Sequence, residues 1–93
     1  MYLCSDKAKV MVIIRNIYGE VIKVYENLDT LAGADLSFEQ LMFADFRDMD
    51  LSGTCFDGAD LFGASFEGAD ISQTDFGTAN IEDTDIDILK HVV

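Results

Sequence analysis

The chain has 93 residues, sets six Lys and Arg against eighteen Asp and Glu for a formal charge of −12, and is 49% hydrophobic. That apolar content excludes wholesale disorder, and the charge excludes direct binding to nucleic acid or to an anionic membrane surface. No apolar run approaches the roughly 20 residues that span a bilayer, and no leader-like pattern opens the chain, so one cytoplasmic domain is the expectation.

Residues 1–28 are expected to form an N-terminal cap. Lys9–Arg15 and Glu20–Glu26 are rich in Val, Ile and Tyr, and the short Asn16-Ile17-Tyr18-Gly19 lies between them. A β-hairpin, or a strand pair continuing into the first coil of a repeating structure, is predicted. Up to Lys23 there are four basic residues and two acidic ones. From Val24 onward only Arg47 and Lys90 stand against sixteen acids. A shift of charge at about residue 24 marks a change of structure there.

From Leu31 a large apolar residue then falls at every fifth position: Leu31, Leu36, Leu41, Phe46, Leu51, Phe56, Leu61, Phe66, Ile71, Phe76, Ile81 and Ile86. Two residues before most centres the side chain is small, as at Ala34, Ala44, Thr54, Ala59, Ala64, Ala69, Thr74, Ala79 and Thr84. Directly before the centre the chain prefers Asp or Asn, and Gly53, Gly58, Gly63 and Gly68 close four successive units. A period of five suits neither a helix nor a flat strand. It requires a corner every five residues, with the same two side chains of each unit turned inward.

The run Ala59-Asp60-Leu61-Phe62-Gly63, Ala64-Ser65-Phe66-Glu67-Gly68, Ala69-Asp70-Ile71 resembles the pentapeptide-repeat family, whose unit is A(D/N)LXX. The resemblance covers residues 29–88. It implies an all-β fold, a right-handed quadrilateral β-helix of about three coils with four units to each. Asp29, Glu39 and Met49 fill slots where the family has small inward residues, so the first coil is expected to be distorted or covered. With twenty residues to a coil, the centres stack in four columns, two of them bearing Phe, on opposite sides of the square. Gly at the last position of a unit suits the positive φ of a type II turn. The tail, residues 89–93, leaves the repeat. With Leu89, Val92 and Val93 it is expected to cap the last coil or to form a homodimer interface at the C-terminal end, roughly doubling the rod.

The Asp before each centre is either part of a charged wall for a cationic partner or an Asx residue bonded to nearby turn backbone. Asn80 and Ser65 in the same slot favour the second. Asp48, Asp57, Glu67, Glu82, Asp83 and Asp87 lie outside that slot, so an acidic surface is available in either case. Nothing matches a calcium-binding loop, Cys4 and Cys55 lack a basic cluster to activate a thiol, and His91 stands alone. No acid, base and nucleophile converge, so neither catalysis, a cofactor nor a metal is expected.

The two positions after each centre should face solvent, yet they include Phe38, Met42, Phe43 and Phe62. Met42 and Phe62 are twenty apart, hence on one side of adjacent coils with Phe43 beside them. These three form the candidate contact with a protein partner. The hairpin is expected to fold over Phe38 and Phe43. Two functions from different classes fit: an acidic protein-interaction module, or a structural or assembly component. The resemblance sharpens the first, because the quinolone-resistance members of the family mimic DNA and bind DNA gyrase, a topoisomerase. Three coils would stand only about 14 Å tall, at about 4.8 Å each, which makes the end-to-end dimer matter.

Overall fold

The computed structural model of the chain describes residues 10–85. It opens with two antiparallel strands, β1 (Met11–Arg15) and β2 (Val21–Glu26). β2 begins one residue after the predicted Glu20, because Glu20 belongs to the turn. There the Asn16 side-chain oxygen accepts the N–H groups of Tyr18 (2.9 Å) and Glu20 (3.0 Å). Gly19 takes a φ of 91°, which a residue with a Cβ adopts only at a cost.

The register places Ile13 opposite Val24 and Ile14 opposite Lys23, then slips at a bulge so that Arg15 faces Val21. Ile14 is fully buried, and Val12, Ile22 and Tyr25 also pack against the core. Met11, Ile13 and Arg15 point outward, as the two-residue alternation of a strand requires. The end of β1 docks on the coil. Asn16 forms an antiparallel bridge with Ala44, the Asp45 N–H donates to the Arg15 carbonyl (2.8 Å) and the Ile17 N–H to the Phe43 carbonyl (2.7 Å). The hairpin therefore occupies an edge that the first coil would otherwise leave unpaired. The ion pair between Lys23 and Glu39 (2.8 Å) ties β2 to the same coil and neutralises one of the irregular residues there.

Beyond the hairpin a corner falls every five residues. At each, the N–H three residues past a centre donates to that centre's carbonyl, from Ala34 on Leu31 (2.9 Å) to Thr84 on Ile81 (3.3 Å). The stretches between corners pair in parallel with the stretch twenty residues on: Asp35 with Cys55 and Cys55 with Asp75, Gln40 with Asp60 and Asp60 with Asn80, Asp45 with Ser65, Asp50 with Asp70. Twenty residues thus complete one circuit of four corners, and the described residues contain no helix. The architecture is β-helix-like with a small antiparallel sheet at one end.

Leu31, Leu36, Leu41, Phe46, Leu51, Phe56, Leu61 and Phe66 are buried, while Ile71, Phe76 and Ile81 pack against them half-buried. Ile86 lies outside the described residues. Each Phe column stacks along its own side, Phe46 on Phe66 at 5.0 Å and Phe56 on Phe76 at 5.7 Å. The two columns also meet across the axis, edge to face, with Phe56 5.5 Å from Phe46 and 6.2 Å from Phe66. Four rings form one interleaved series, an arrangement favoured by the aromatic quadrupole. Ala44, Ala59 and Ala64 leave room for them. Thr54 fills the same small slot and satisfies its buried hydroxyl on the Leu31 carbonyl (2.6 Å).

Beneath the hairpin the Tyr25 hydroxyl is buried with no hydrogen-bond partner among the described residues. Burial foremost, and then the negative charge of Glu39, push its pKa up to about 12. A folded-state value above the unfolded value of about 10 contributes stability that is complete below pH 10 and lost as pH rises toward 12. Tyr25→Phe is therefore expected to flatten the alkaline fall in stability. It should also stabilise the chain by about 1 kcal/mol at neutral pH, since no unpaired hydroxyl remains. Urea melts at pH 7 and pH 11 test this; a variant as alkali-sensitive as the parent would disprove it.

Candidate interaction surface

The corners decide which side chains reach solvent. The two residues after a centre are the central residues of each turn, and the second takes positive φ at every described corner except that of Phe76, where the first, Gly77, does. Phe43 is such a residue, with φ 60°, and its ring lies over Gly63, one coil on. Phe38, with φ 63°, lies over Gly58 in the same way.

Three rings gather around the Phe43 corner. Phe43 meets Phe62 edge to face at 5.7 Å, and Tyr18 from the hairpin turn lies 6.1 Å from Phe43. The Phe43 N–H donates to the Phe62 carbonyl (2.7 Å), which holds the two backbones together. Met42 is 43% exposed and Tyr18 71%, whereas Phe43 and Phe62 are half-buried by their mutual contact. Tyr18 was not among the sequence candidates. Its signal was an aromatic at a turn position, where solvent usually calls for a polar residue.

Phe38 corrects an expectation. It is 74% exposed, so the hairpin does not cover it. The pairing of Arg15–Ile17 with residues 43–45 anchors the hairpin tip at the Phe43 corner, one corner beyond Phe38. The candidate dimer residues Leu89, Val92 and Val93 lie outside the described residues.

The carboxylates fall into two groups. Asp35, Asp45, Asp50, Asp60 and Asp70, with Asn80, each accept the N–H two residues on, so they close turns. The Ser37 hydroxyl lowers the pKa of Asp35, and that of Ser72 lowers Asp70, as hydrogen bonds to the charged form do. Asp57 also has a structural task. It accepts both the N–H and the hydroxyl of Thr78 in the next coil (2.9 and 3.0 Å). It therefore leaves the set that the sequence assigned to free surface. Asp48, Glu67, Glu82 and Asp83 remain, all exposed, while Asp87 lies outside the described residues. Asp48 and Glu67 line a shallow surface hollow with Asp45, Arg47 and Gly68. Arg47 forks onto Asp45 through two bonds of 2.8 Å, which lower the Asp45 pKa and raise that of Arg47.

Among the described residues no group of three or more His, Cys, Asp or Glu is placed to hold a metal ion. No helix among them is long and apolar enough to cross a membrane. Cys55 is half-buried, its sulfur 3.6 Å from the Ser37 hydroxyl oxygen.

A family model described as pentapeptide repeats matches residues 40–77, in eight copies. The match starts after Asp29 and Glu39, the two earliest departures from the small inward slot. No curated protein and no solved structure gives a significant match to the chain.

Proposed function

From the match of residues 40–77 to pentapeptide repeats, we propose that this chain is a pentapeptide-repeat protein and a non-enzymatic protein-interaction module of the cytoplasm. Its scaffold on this reading is a right-handed quadrilateral β-helix of about three coils, spanning residues 29–88 behind a cap of residues 1–28. The observation that carries the reading is the aromatic corner. Tyr18, Phe43 and Phe62 meet in series beside exposed Met42, with exposed Glu82 and Asp83 at the adjoining corner of the next coil. An apolar anchor ringed by charge of one sign suits a protein partner with a basic face: the rings supply affinity, and the charge steers approach and sets the register.

The finer form of this reading is DNA mimicry directed at a topoisomerase. It draws on the acidic wall and on a homodimer through Leu89, Val92 and Val93 that would lengthen the rod. The structural or assembly alternative is favoured by a different observation: most of the Asp residues before the centres are engaged in closing turns. A single experiment separates the two. Binding to a type II topoisomerase is measured across a salt series for the parent chain and for Phe62→Ala with Met42→Ser. A mimic is expected to bind more weakly as salt rises and to lose about tenfold in affinity in the double variant. No binding at low salt would leave the structural reading standing.

A further inference from the structure

Among the described residues, the outer face of the hairpin gathers exposed apolar side chains that the aromatic corner does not account for. Met11, Ile13 and Arg15 on β1, and Val21, Val24 and Glu26 on β2, are all exposed. The register pairs them across the strands as Met11 with Glu26, Ile13 with Val24 and Arg15 with Val21, so all six lie on one side of the sheet. Four are apolar. The opposite side, with Val12, Ile14 and Ile22, is packed on the core, while the β1 edge of this face borders the coil, where Ile13 and Arg15 line a shallow hollow with Asp45, Arg47 and Met49.

Charge on the hairpin is balanced. Residues 10–28 hold Arg15 and Lys23 against Glu20 and Glu26, while residues 29–85 hold Arg47 alone against fourteen acids. A second copy meets its least repulsion here. The two charges on the face stand at opposite ends of it, Arg15 next to the turn and Glu26 at the far end.

We propose that this hairpin face binds the same face of a second copy of the chain, about a twofold axis running across the strands. That axis lays the Arg15 end of each hairpin over the Glu26 end of the other, with the opposite charges offset sideways by one strand spacing, about 4.8 Å, across the roughly 10 Å between packed sheets, a gap that two long side chains span. An axis along the strands would instead bring like charges together, so the charge placement selects the first arrangement. Met11, Ile13, Val21 and Val24 of both copies then leave water together, as two sheets do when they pack face to face. The interface is isologous and independent of the aromatic corner, so it stands or falls separately from the topoisomerase reading.

Charge reversal tests it, with the dimer dissociation constant of the full chain read by sedimentation equilibrium. Glu26→Arg lowers the net negative charge, so general repulsion alone would make it associate more tightly. The proposed interface requires the reverse, about a tenfold weakening, because two attractive pairs become repulsive. Arg15→Glu is expected to weaken association similarly, and the double variant, at the parent's net charge, to restore it. Ile13→Ser with Val24→Ser, confirmed as folded by its melt, is expected to be monomeric. A monomeric parent chain at high concentration would overturn the proposal. So would tighter association of Glu26→Arg, or a dimer lost only when Leu89, Val92 and Val93 are replaced by Ser.

Discussion

Phe66→Ala is expected to lower stability by about 3–5 kcal/mol, and the melting temperature by at least about 12 °C. Phe66 is 1% exposed and sits at the crossing of the aromatic series, stacked on Phe46 and edge-on to Phe56 and Phe76. Removing the ring opens a cavity that the corners cannot close, because each is tied by a turn hydrogen bond and by pairing to a neighbouring coil. A chain of this size commonly has only about 5–14 kcal/mol in hand. Phe62→Ala is the control. Its half-buried ring meets Phe43 alone among the aromatics, and about 1 kcal/mol or less is expected. Thermal melts of the two variants side by side decide the matter; similar shifts would mean that inward and outward positions are misassigned.

Gly63→Ala is expected to cost about 2–3 kcal/mol, against about 1 kcal/mol for Gly53→Ala. Both glycines have φ near +70°. Positive φ is not enough to explain them, because Phe38, Phe43, Asp48, Gln73 and Asp83 hold φ of 59–63° at equivalent corners. The difference is what lies above. A Cβ on Gly53 would meet only the Gly33 backbone at 3.7 Å, whereas one on Gly63 would come within 2.5 Å of the Phe43 ring. Gly63→Ala must therefore displace that ring as well as strain the backbone. A cycle with Phe43→Ala isolates the second effect. The Gly63→Ala cost should shrink by about 1 kcal/mol when the ring is already gone, and an unchanged cost would refute the contact.

The glycine pattern also marks how far the sequence could be read. Turn chemistry is local, so Gly53 to Gly68 announce their corners without any knowledge of the neighbouring coil. That they accommodate Phe43, Phe38 and Asp48 of the preceding coil depends on stacking twenty residues apart, and shows only in three dimensions. The same division holds elsewhere. The centres from Leu31 to Ile81 were legible because one slot recurs every five residues, and the hairpin because β1 and β2 are short Val- and Ile-rich runs around a turn. The docking of Asn16 on Ala44 was not, since antiparallel pairing between segments nearly thirty residues apart leaves no local pattern. For that reason the sequence suggests a cover over Phe38 and does not point to Tyr18 as part of the aromatic corner. The crossing of the two Phe columns at the axis likewise depends on the girth of the coil, which no single unit encodes.

Pairing at a fixed interval of twenty residues also restricts how such a chain can grow. An insertion of five residues after Leu51 would turn everything downstream by one corner. The ring of Phe66 would leave the column of Phe46 for that of Leu31 and Leu51, and Gly63 would come to lie under Asp48 instead of Phe43. An insertion of twenty residues returns every later side chain to its own column and adds one complete layer. Length in this architecture is therefore quantised. Duplications of four units are absorbed as a taller stack, while any smaller change must be accompanied by replacement of the residues whose neighbours it exchanges.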